Sequence, residues 1–194
     1  MNRFDRLKLS SMNHWFPKVK DLVPVPKTVF VDLEEDRESH SCPVRWNTAE
    51  IKEAIETVGG YPAFIRTDQS SNKHDMAKAS RISKQKEIDR NIFEVIMYNE
   101  MAGMLGLPYD NLVVREWLNL EHYFKAFNET PIAKELRFFI KDNEVQCHHF
   151  YWPEDSIKFY GQPEPEDKEL EEKMDSLLLE DANDIEEQEE NIQK

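Results

Sequence analysis

The sequence is poor in glycine, cysteine and long apolar runs, and each scarcity excludes a class of protein. Only 5 of the 194 residues are glycine, and the chain contains no Walker loop, GxGxxG fingerprint, nucleophile elbow, HExxH motif or EF-hand loop. Cys42 and Cys147 are too few for a disulfide scaffold, which favours a reducing compartment. No segment has the apolar length of a membrane span, and the N-terminal residues lack the apolar core of a signal peptide. We expect a cytoplasmic protein without a membrane partner.

Basic residues are also too few for a general nucleic-acid-binding surface. The formal net charge is -14, and it is unevenly distributed. The segment 164–194 holds 14 acidic and 3 basic side chains, whereas the other 163 residues hold 25 acidic and 22 basic ones. Nonspecific binding to nucleic acid needs a basic face, so we expect no nucleic-acid partner. A local basic pocket remains compatible with this composition.

Apolar periodicity predicts an α+β fold. Asn47 and Glu50 have the spacing of a capping box, and Gly59-Gly60 predicts the end of the helix that follows. Mixed strands with segregated helices are typical of the α+β class. The predicted elements, in order, are a strand over 28–33, a helix from Asn47, a strand over 63–65, a long helix from about 85, the strand NLVVREWL, and a hairpin of KELRFFI and VQCHHFY. We expect 34–46 and 119–133 to be connecting loops.

The C-terminal segment is acidic, with apolar residues at helical spacing at Leu170, Met174, Leu177 and Leu178. This pattern predicts an acidic helix whose charged side chains face solvent. A coil that binds a partner is the alternative interpretation.

The stretch PAFIRTDQSSNKHD places a cation at the end of an apolar strand and continues into a polar loop. Arg66 offers a guanidinium fork and Lys73 a point charge, while Ser70 and Ser71 offer hydroxyls and amides. Phosphate groups are bound by such cations and small donors. The loop contains no glycine and is therefore not a Walker loop. The alternative is an exposed loop in which Arg66 pairs with Asp68 or Asp75.

Charged side chains of both signs recur on two later predicted strands. Arg115 and Glu116 end the strand NLVVREWL, and Glu135 and Arg137 alternate with apolar residues in KELRFFI. Period-two alternation puts Glu135 and Arg137 on one face. Such residues can line a pocket for a polyanion and its metal, or form a ladder of salt bridges on a wet face.

The stretch CHHFYW is a weak candidate for a metal site. His148 and His149 are adjacent on a predicted strand and therefore point to opposite faces. Cys147 and His149 share a face, but no other Cys or His cluster lies nearby to complete a zinc site. We do not expect structural zinc here.

Three motifs in order, FIRTDQSSNKHD, VVREW and ELRFFI, resemble the ATP-grasp superfamily. The similarity is greater to the branch of the cell-division-cycle assembly chaperones of translation initiation factor two, and it covers roughly residues 60–152. In the VVREW stretch the family has its adenine hinge, and in ELRFFI it has charged residues that face the nucleotide.

This resemblance implies ATP and Mg²⁺ as cofactors and assigns expected roles to individual residues. Arg66 and Lys73 would contact phosphates, with Ser70 in the same loop. The backbone of Glu116, Trp117 and Leu118 would form the adenine hinge, beside Arg115. Glu135 would lie near the ribose or bind the metal. Arg137 would reach the phosphates or the bound substrate and is the expected catalytic residue.

The resemblance also implies a domain organisation. We expect an ATP-grasp-like architecture of two subdomains with antiparallel sheets. Its parts are an N-terminal α/β segment at 1–60, an ATP-grasp-like nucleotide-binding core at 61–160 and an acidic helical tail at 161–194. The family's magnesium ligands follow the next helix, on strands with an acid-x-Asn pattern, and no such strand follows here. Either the chain is C-terminally truncated, or its metal site is incomplete, or the acidic helix has another role.

Three functions are compatible with these residues. The first is an ATP-dependent carboxylate-amine ligase, active in the full-length form and joining small substrates through an acyl phosphate. The second is an ATP-dependent assembly chaperone with a protein client. The third is a degenerate interaction module without catalysis.

Overall fold

A computed structural model gives the fold of residues 8–36, 38–39, 41–72, 79–103, 109–126, 130–133, 135–142 and 144–152. The chain forms two compact units, Met1–Asn119 and Leu120–Lys194. The boundary lies inside the segment 61–160 that the sequence predicts as one core. Lys73, Asp75, Lys134 and the predicted acidic helix lie outside the described residues.

The first unit is built on an antiparallel sheet, and the second on two hairpins. The helices and strands of the first unit are α1 (Met12–Val19), β1 (Thr28–Asp32), β2 (Glu34–Glu35), β3 (Val44–Arg45), α2 (Thr48–Thr57), β4 (Ala63–Thr67), β5 (Arg81–Ile82), a 3₁₀ turn (Gln85–Glu87), α3 (Ile88–Gly103) and β6 (Asn111–Glu116). Those of the second unit are β7 (His122–Ala126), β8 (Thr130–Ala133), β9 (Leu136–Lys141) and β10 (Glu144–Phe150).

The main sheet has the strand order β1-β6-β4-β5, with every neighbouring pair antiparallel. The last strand of the unit, β6, is therefore central, and it pairs with strands that precede it by tens of residues. The predicted α+β class, with antiparallel sheets, is confirmed for the described part of the chain.

One face of this sheet packs against α2 and α3. The helical spacing of Ile51, Ile55, Ile92 and Ile96 predicts their common burial, and all four are fully buried. They join the inward residues of the strands in one apolar core. Burial of this kind contributes about 1.5–3 kcal/mol per large aliphatic side chain.

The other face of the sheet is covered in part by α1. Met12 and Phe16 of this helix pack with Val113 of β6, and the rings of Phe16 and Phe30 lie 5.8 Å apart. The sequence did not predict this helix, since Pro17 lies within it. The apolar contacts of Met12 and Phe16 offset the backbone hydrogen bond that proline cannot donate.

Both ends of α2 follow the predicted signals. Asn47 caps its N-terminus, with its side-chain oxygen accepting from the Ala49 amide at 3.0 Å and its amide donating to Glu50 at 3.0 Å. At the other end the Gly60 amide donates to the Ile55 carbonyl at 2.8 Å. Gly59 and Gly60 both have positive φ, which a residue without Cβ adopts at little cost.

Two segments that the sequence predicts as connecting loops contain strands. Within 34–46, β2 and β3 form a short antiparallel pair. Within 119–133, β7 and β8 form a hairpin whose register shifts between His122 and Phe124. These expectations were wrong because short strands stabilised mainly by pairing carry little periodicity of their own.

The predicted hairpin of the second unit is confirmed as β9 and β10, with Asp142 at a positive φ in its turn. Leu136 and Phe138 are half-buried, whereas Arg137 and Phe139 are exposed, which is the predicted alternation. No helix in the described part of the chain has the length and apolarity that crossing a bilayer requires.

Candidate functional site

Arg66 lies on the face of the main sheet opposite to the large apolar core. Ala63, Ile65 and Thr67 of β4 are buried towards α2 and α3, so strand alternation turns Phe64 and Arg66 the other way. Arg66 is half-buried, and its Nε donates to the Thr67 carbonyl at 2.9 Å. The strand thus delivers the guanidinium to the sheet face that α1 covers only in part.

Strand register brings two further arginines to the same face. Arg115 of β6 and Arg81 of β5 both lie directly opposite Phe64, one on each side of β4. Directly opposed residues of antiparallel strands share a face. Their neighbours in the core confirm this, because Ile82 and Val114 are buried on the other side. We call Arg66, Arg81 and Arg115 the arginine face.

Within the arginine face, Arg115 has no negatively charged partner among the described residues. This side chain is half-buried, and burial lowers the pKa of Arg115. Its Nε makes one long contact, 3.4 Å, to the Thr28 hydroxyl. Among the described residues no carboxylate pairs with Arg115 or with Arg81. Partial burial of an uncompensated guanidinium is unfavourable, and a bound anion would offset that cost.

Arg81 is the arginine that the sequence analysis missed. Its guanidinium carbon lies 5.0 Å from the ring centroid of Trp117, a cation–π distance. A two-residue strand gives no periodicity from which its direction can be inferred. The pairing of β5 with β4, which puts Arg81 beside Arg115, is a tertiary contact without a sequence signal.

Hydroxyl groups at the start of the loop after Arg66 form hydrogen bonds with the loop itself and with Asn99. The Ser70 amide donates to Thr67 Oγ1 at 2.9 Å, and the Ser70 hydroxyl donates to Asn99 Oδ1 at 2.6 Å. The Thr67 hydroxyl lies 2.6 Å from the same oxygen of Asn99. Both donors of Ser70 are therefore used within the chain. A phosphate at Ser70 would have to replace one of these bonds, and the role of Ser70 stays a prediction.

Asp68 anchors this loop and does not pair with Arg66. Its carboxylate is 2 % exposed and accepts from the Ser11 hydroxyl at 2.5 Å. It also accepts from the amides of Asp110 at 3.2 Å and Asn111 at 3.4 Å. No ion pair joins Arg66 to Asp68, and pairing of Arg66 with Asp75 stays a prediction because Asp75 lies outside the described residues.

The predicted adenine hinge follows β6 at the end of the first unit. The Glu116 amide donates to the Lys27 carbonyl at 2.9 Å, and its carboxylate accepts from the Lys27 amide at 3.2 Å. The backbones of Trp117 and Leu118 make no hydrogen bond to another described residue. Their amides and carbonyls suit the edge of an adenine. Glu116 is instead hydrogen-bonded to Lys27, the residue before β1.

Glu135 and Arg137, the predicted residues of ELRFFI, lie in the second unit. The Glu135 carbonyl accepts from the Tyr151 amide at 2.8 Å. Arg137 is exposed, and its guanidinium carbon lies 4.5 Å from the centroid of the Tyr151 ring. Because Arg66 belongs to the other unit, the expectation that all three face one cleft stays a prediction.

The described residues contain no group of three His, Cys, Asp or Glu side chains placed to hold a metal ion. Glu135 stays the predicted Mg²⁺ ligand. Cys147 and His149 are both exposed on β10.

The fold is similar to that of Cdc123. The C-terminally truncated Cdc123 of Schizosaccharomyces pombe matches with a TM-score of 0.51 at 15 % sequence identity, covering 79 % of this chain and 69 % of that one. Cdc123 from the same organism matches with a TM-score of 0.48 at 14 % identity, covering 79 % and 68 %. No family profile and no curated protein matches the sequence.

The similarity concerns the fold. It agrees with the predicted mixture of helices and antiparallel sheets. At this level of identity the fold does not carry activity with it. The chemistry must be argued from the arginine face and its surroundings.

Proposed function

We propose that this chain binds ATP and works as an assembly factor whose partner is a protein client. The half-buried Arg115, which has no carboxylate partner among the described residues and shares a sheet face with Arg66 and Arg81, carries the proposal. Three guanidinium groups on one sheet face suit a polyphosphate, because each planar fork can donate two parallel bonds to phosphate oxygens. The resemblance of the three sequence motifs to ATP-grasp proteins makes a nucleotide the polyphosphate to test first.

The proposal keeps the following expected roles. Arg66 and Arg115 would hold phosphates from the first unit, together with Lys73, and the Trp117 and Leu118 backbone would meet the adenine edge. Glu135 and Arg137, which belong to the second unit, stay the predicted metal ligand and catalytic residue. Bound Mg²⁺ would neutralise phosphate charge.

A protein client is the partner that the chain supports better than a small acceptor. The motif order of residues 60–152 resembles a branch of assembly chaperones, and the fold similarity to Cdc123 supports that alternative over a ligase. We propose that the protein acts in the cytoplasm.

Calorimetry with ATP tests the nucleotide part of the proposal. We expect binding that Arg66→Ala and Arg115→Gln each weaken about tenfold, since each removes charge-assisted hydrogen bonds. Arg45→Ala is the matched control. Arg45 is exposed, pairs with Asp36 at 3.4 Å and lies outside the arginine face. A folded protein that gives no heat and no thermal shift at millimolar ATP would contradict the proposal and favour the interaction module.

The ligase remains the alternative function, and turnover separates it from the assembly factor. A ligase releases phosphate when a carboxylate and an amine acceptor are supplied together. An assembly factor binds ATP and changes its affinity for the client protein. Acceptor-dependent release of phosphate would establish the ligase.

A further inference from the structure

We propose that Arg81 and Arg115 form a two-guanidinium clamp for one phosphate group of a bound polyphosphate, with Arg81 positioned by Trp117. The proposal rests on the proposed function for the identity of its ligand. It adds a binding residue, Arg81, that the sequence motifs do not include, and it gives Trp117 a side-chain role besides its hinge backbone.

The first step is the position of the two backbones. Arg81 and Arg115 are each paired with Phe64, on the two strands that flank β4. Since neighbouring strands are about 4.8 Å apart, the two Cα atoms are on the order of 10 Å apart across one sheet face. Two extended arginine side chains bridge that distance with a phosphate between them.

The second step is the direction of the Arg81 side chain. Its strand is at the edge of the sheet, whereas Trp117 continues the line of β6 on the far side of β4. The 5.0 Å contact between the guanidinium and the indole therefore brings the two side chains together over the face of β4, between the strands that carry Arg81 and Arg115. Without this contact to Trp117, the Arg81 side chain would extend into solvent, away from a second cation.

The third step is charge. Two guanidinium groups that approach each other repel, and the described residues offer neither of them a carboxylate. The indole face attracts Arg81 but does nothing for Arg115. A phosphate would satisfy both groups, and the exposure of Arg81 leaves an approach from solvent. The competing interpretation is an ordinary surface stacking of Arg81 on Trp117.

The experiment uses the whole chain and two probes, inorganic tripolyphosphate and ATP, titrated by calorimetry without Mg²⁺. We expect Arg81→Ala to weaken binding of both probes about tenfold, because it removes charge-assisted hydrogen bonds. Arg81→Lys should recover only part of the loss, since a point charge replaces a fork. Arg45→Ala, which also removes one exposed arginine, should bind as the unmodified protein does.

Trp117 supplies a second readout. Tripolyphosphate should change the tryptophan emission of the unmodified protein, and Trp117→Phe should abolish that change while keeping a ring for Arg81. Trp117→Leu removes the ring and should weaken tripolyphosphate binding by less than Arg81→Ala does. If Arg81 only stacks on Trp117 at the surface, these variants should lower the melting temperature and leave tripolyphosphate binding unchanged.

The outcomes separate this inference from the proposed function. ATP binding that Arg81→Ala leaves intact overturns the clamp and keeps the proposed function. If tripolyphosphate binding depends on Arg81 and ATP binds no more tightly than tripolyphosphate, the clamp stands. The proposal that the ligand is a nucleotide is then overturned. If the folded protein binds neither probe, both are overturned.

Discussion

At the scale of single residues, the buried carboxylate of Asp68 holds the candidate site in place. It connects the loop after Arg66 to the residue before α1 and to the start of β6. The Asp68 carbonyl also accepts from the Met12 amide at 2.8 Å, and the Asp68 amide donates to the Asn111 carbonyl at 3.1 Å. Its side chain therefore sets the end of β4 from which Arg66 projects.

Removal of this carboxylate should be costly. We expect Asp68→Ala to lower the free energy of unfolding by about 3 kcal/mol, because buried amides and a hydroxyl lose their acceptor. Asp68→Asn should cost less, since one side-chain oxygen remains as an acceptor. Urea denaturation measures both. Glu53→Ala, at an exposed position of α2, is the control and should stay within about 0.5 kcal/mol. Equal effects of Asp68→Ala and the control would show that the network contributes nothing.

Glu87 provides a pH-dependent contribution at the start of α3. Burial by itself raises its pKa, but hydrogen bonds from the Ser83 amide and from Lys84, with the charges of Lys84 and Arg90, lower the pKa of Glu87 overall. The Ser83 bond is 2.9 Å and the Lys84 ion pair 3.4 Å long. A carboxylate in this first turn also favours the helix dipole.

We expect Glu87→Gln to lower stability by about 0.5 kcal/mol at neutral pH, a value discounted for solvent screening. Because the folded pKa is depressed, this stabilisation is complete above the unfolded pKa, about 4.3, and is lost as pH falls through the folded pKa. Urea curves of both proteins from neutral to acid pH measure the difference. A gap that widens towards acid pH would contradict the assignment.

At the scale of elements, the helix ends are the features most directly written in the sequence. The turn after α2 needs left-handed backbone at Gly60, whose φ is +87°. A Cβ placed on Gly60 meets no atom within 4 Å. Substitution should therefore cost conformational energy without a clash, which makes this turn a test of backbone preference alone.

We expect Gly60→Ala to destabilise the protein by about 1 kcal/mol, because a Cβ disfavours the left-handed region. Gly60→Asn should cost less and Gly60→Val more, following the ease with which each residue adopts positive φ. Thermal denaturation of the three variants checks the order. If Gly60→Val proved as stable as Gly60→Asn, the turn would not depend on this backbone conformation.

At the scale of the whole molecule, ATP binding and ATP turnover should separate. Phosphoryl transfer needs a metal that bridges phosphate oxygens and is held in a fixed octahedral geometry. Glu135 is one predicted ligand, and the acid-x-Asn triplets after residue 152, which begin at Asp181 and Glu189, fall in a run whose pattern predicts a helix and not a strand. The acids beyond residue 152 belong to a run predicted as a solvated helix.

We therefore expect this chain to bind ATP without turning it over at an enzymatic rate. Phosphate release is measured with Mg²⁺ across a panel of amino-acid and amine acceptors, with a protein-free reaction as the control. Sustained Mg²⁺-dependent release that Glu135→Ala abolishes would show a complete metal site and a ligase.

The sequence by itself determined the features that depend on local periodicity and on special backbone conformations. The repeats of Ile51, Ile55, Ile92 and Ile96 predict two helices and their buried sides, because side chains three and four apart share a helix face. Alternation along β4 and β9, and the glycines after α2, were predictable in the same way. So was the position of Arg66 at the end of a buried strand.

Only the tertiary structure decided which strands pair, and with that the composition of the candidate site. Arg81 and Arg115 are 34 positions apart and become neighbours because β4 lies between their strands. Asp68 is buried because Ser11, 57 positions away, donates to it. Short strands such as β2, β5 and β7 are stabilised mainly by such pairing. Their own residues span too few repeats of the two-residue strand pattern to predict that pairing. Contacts between distant parts of a chain depend on the packing of the whole unit, which no single stretch of sequence encodes.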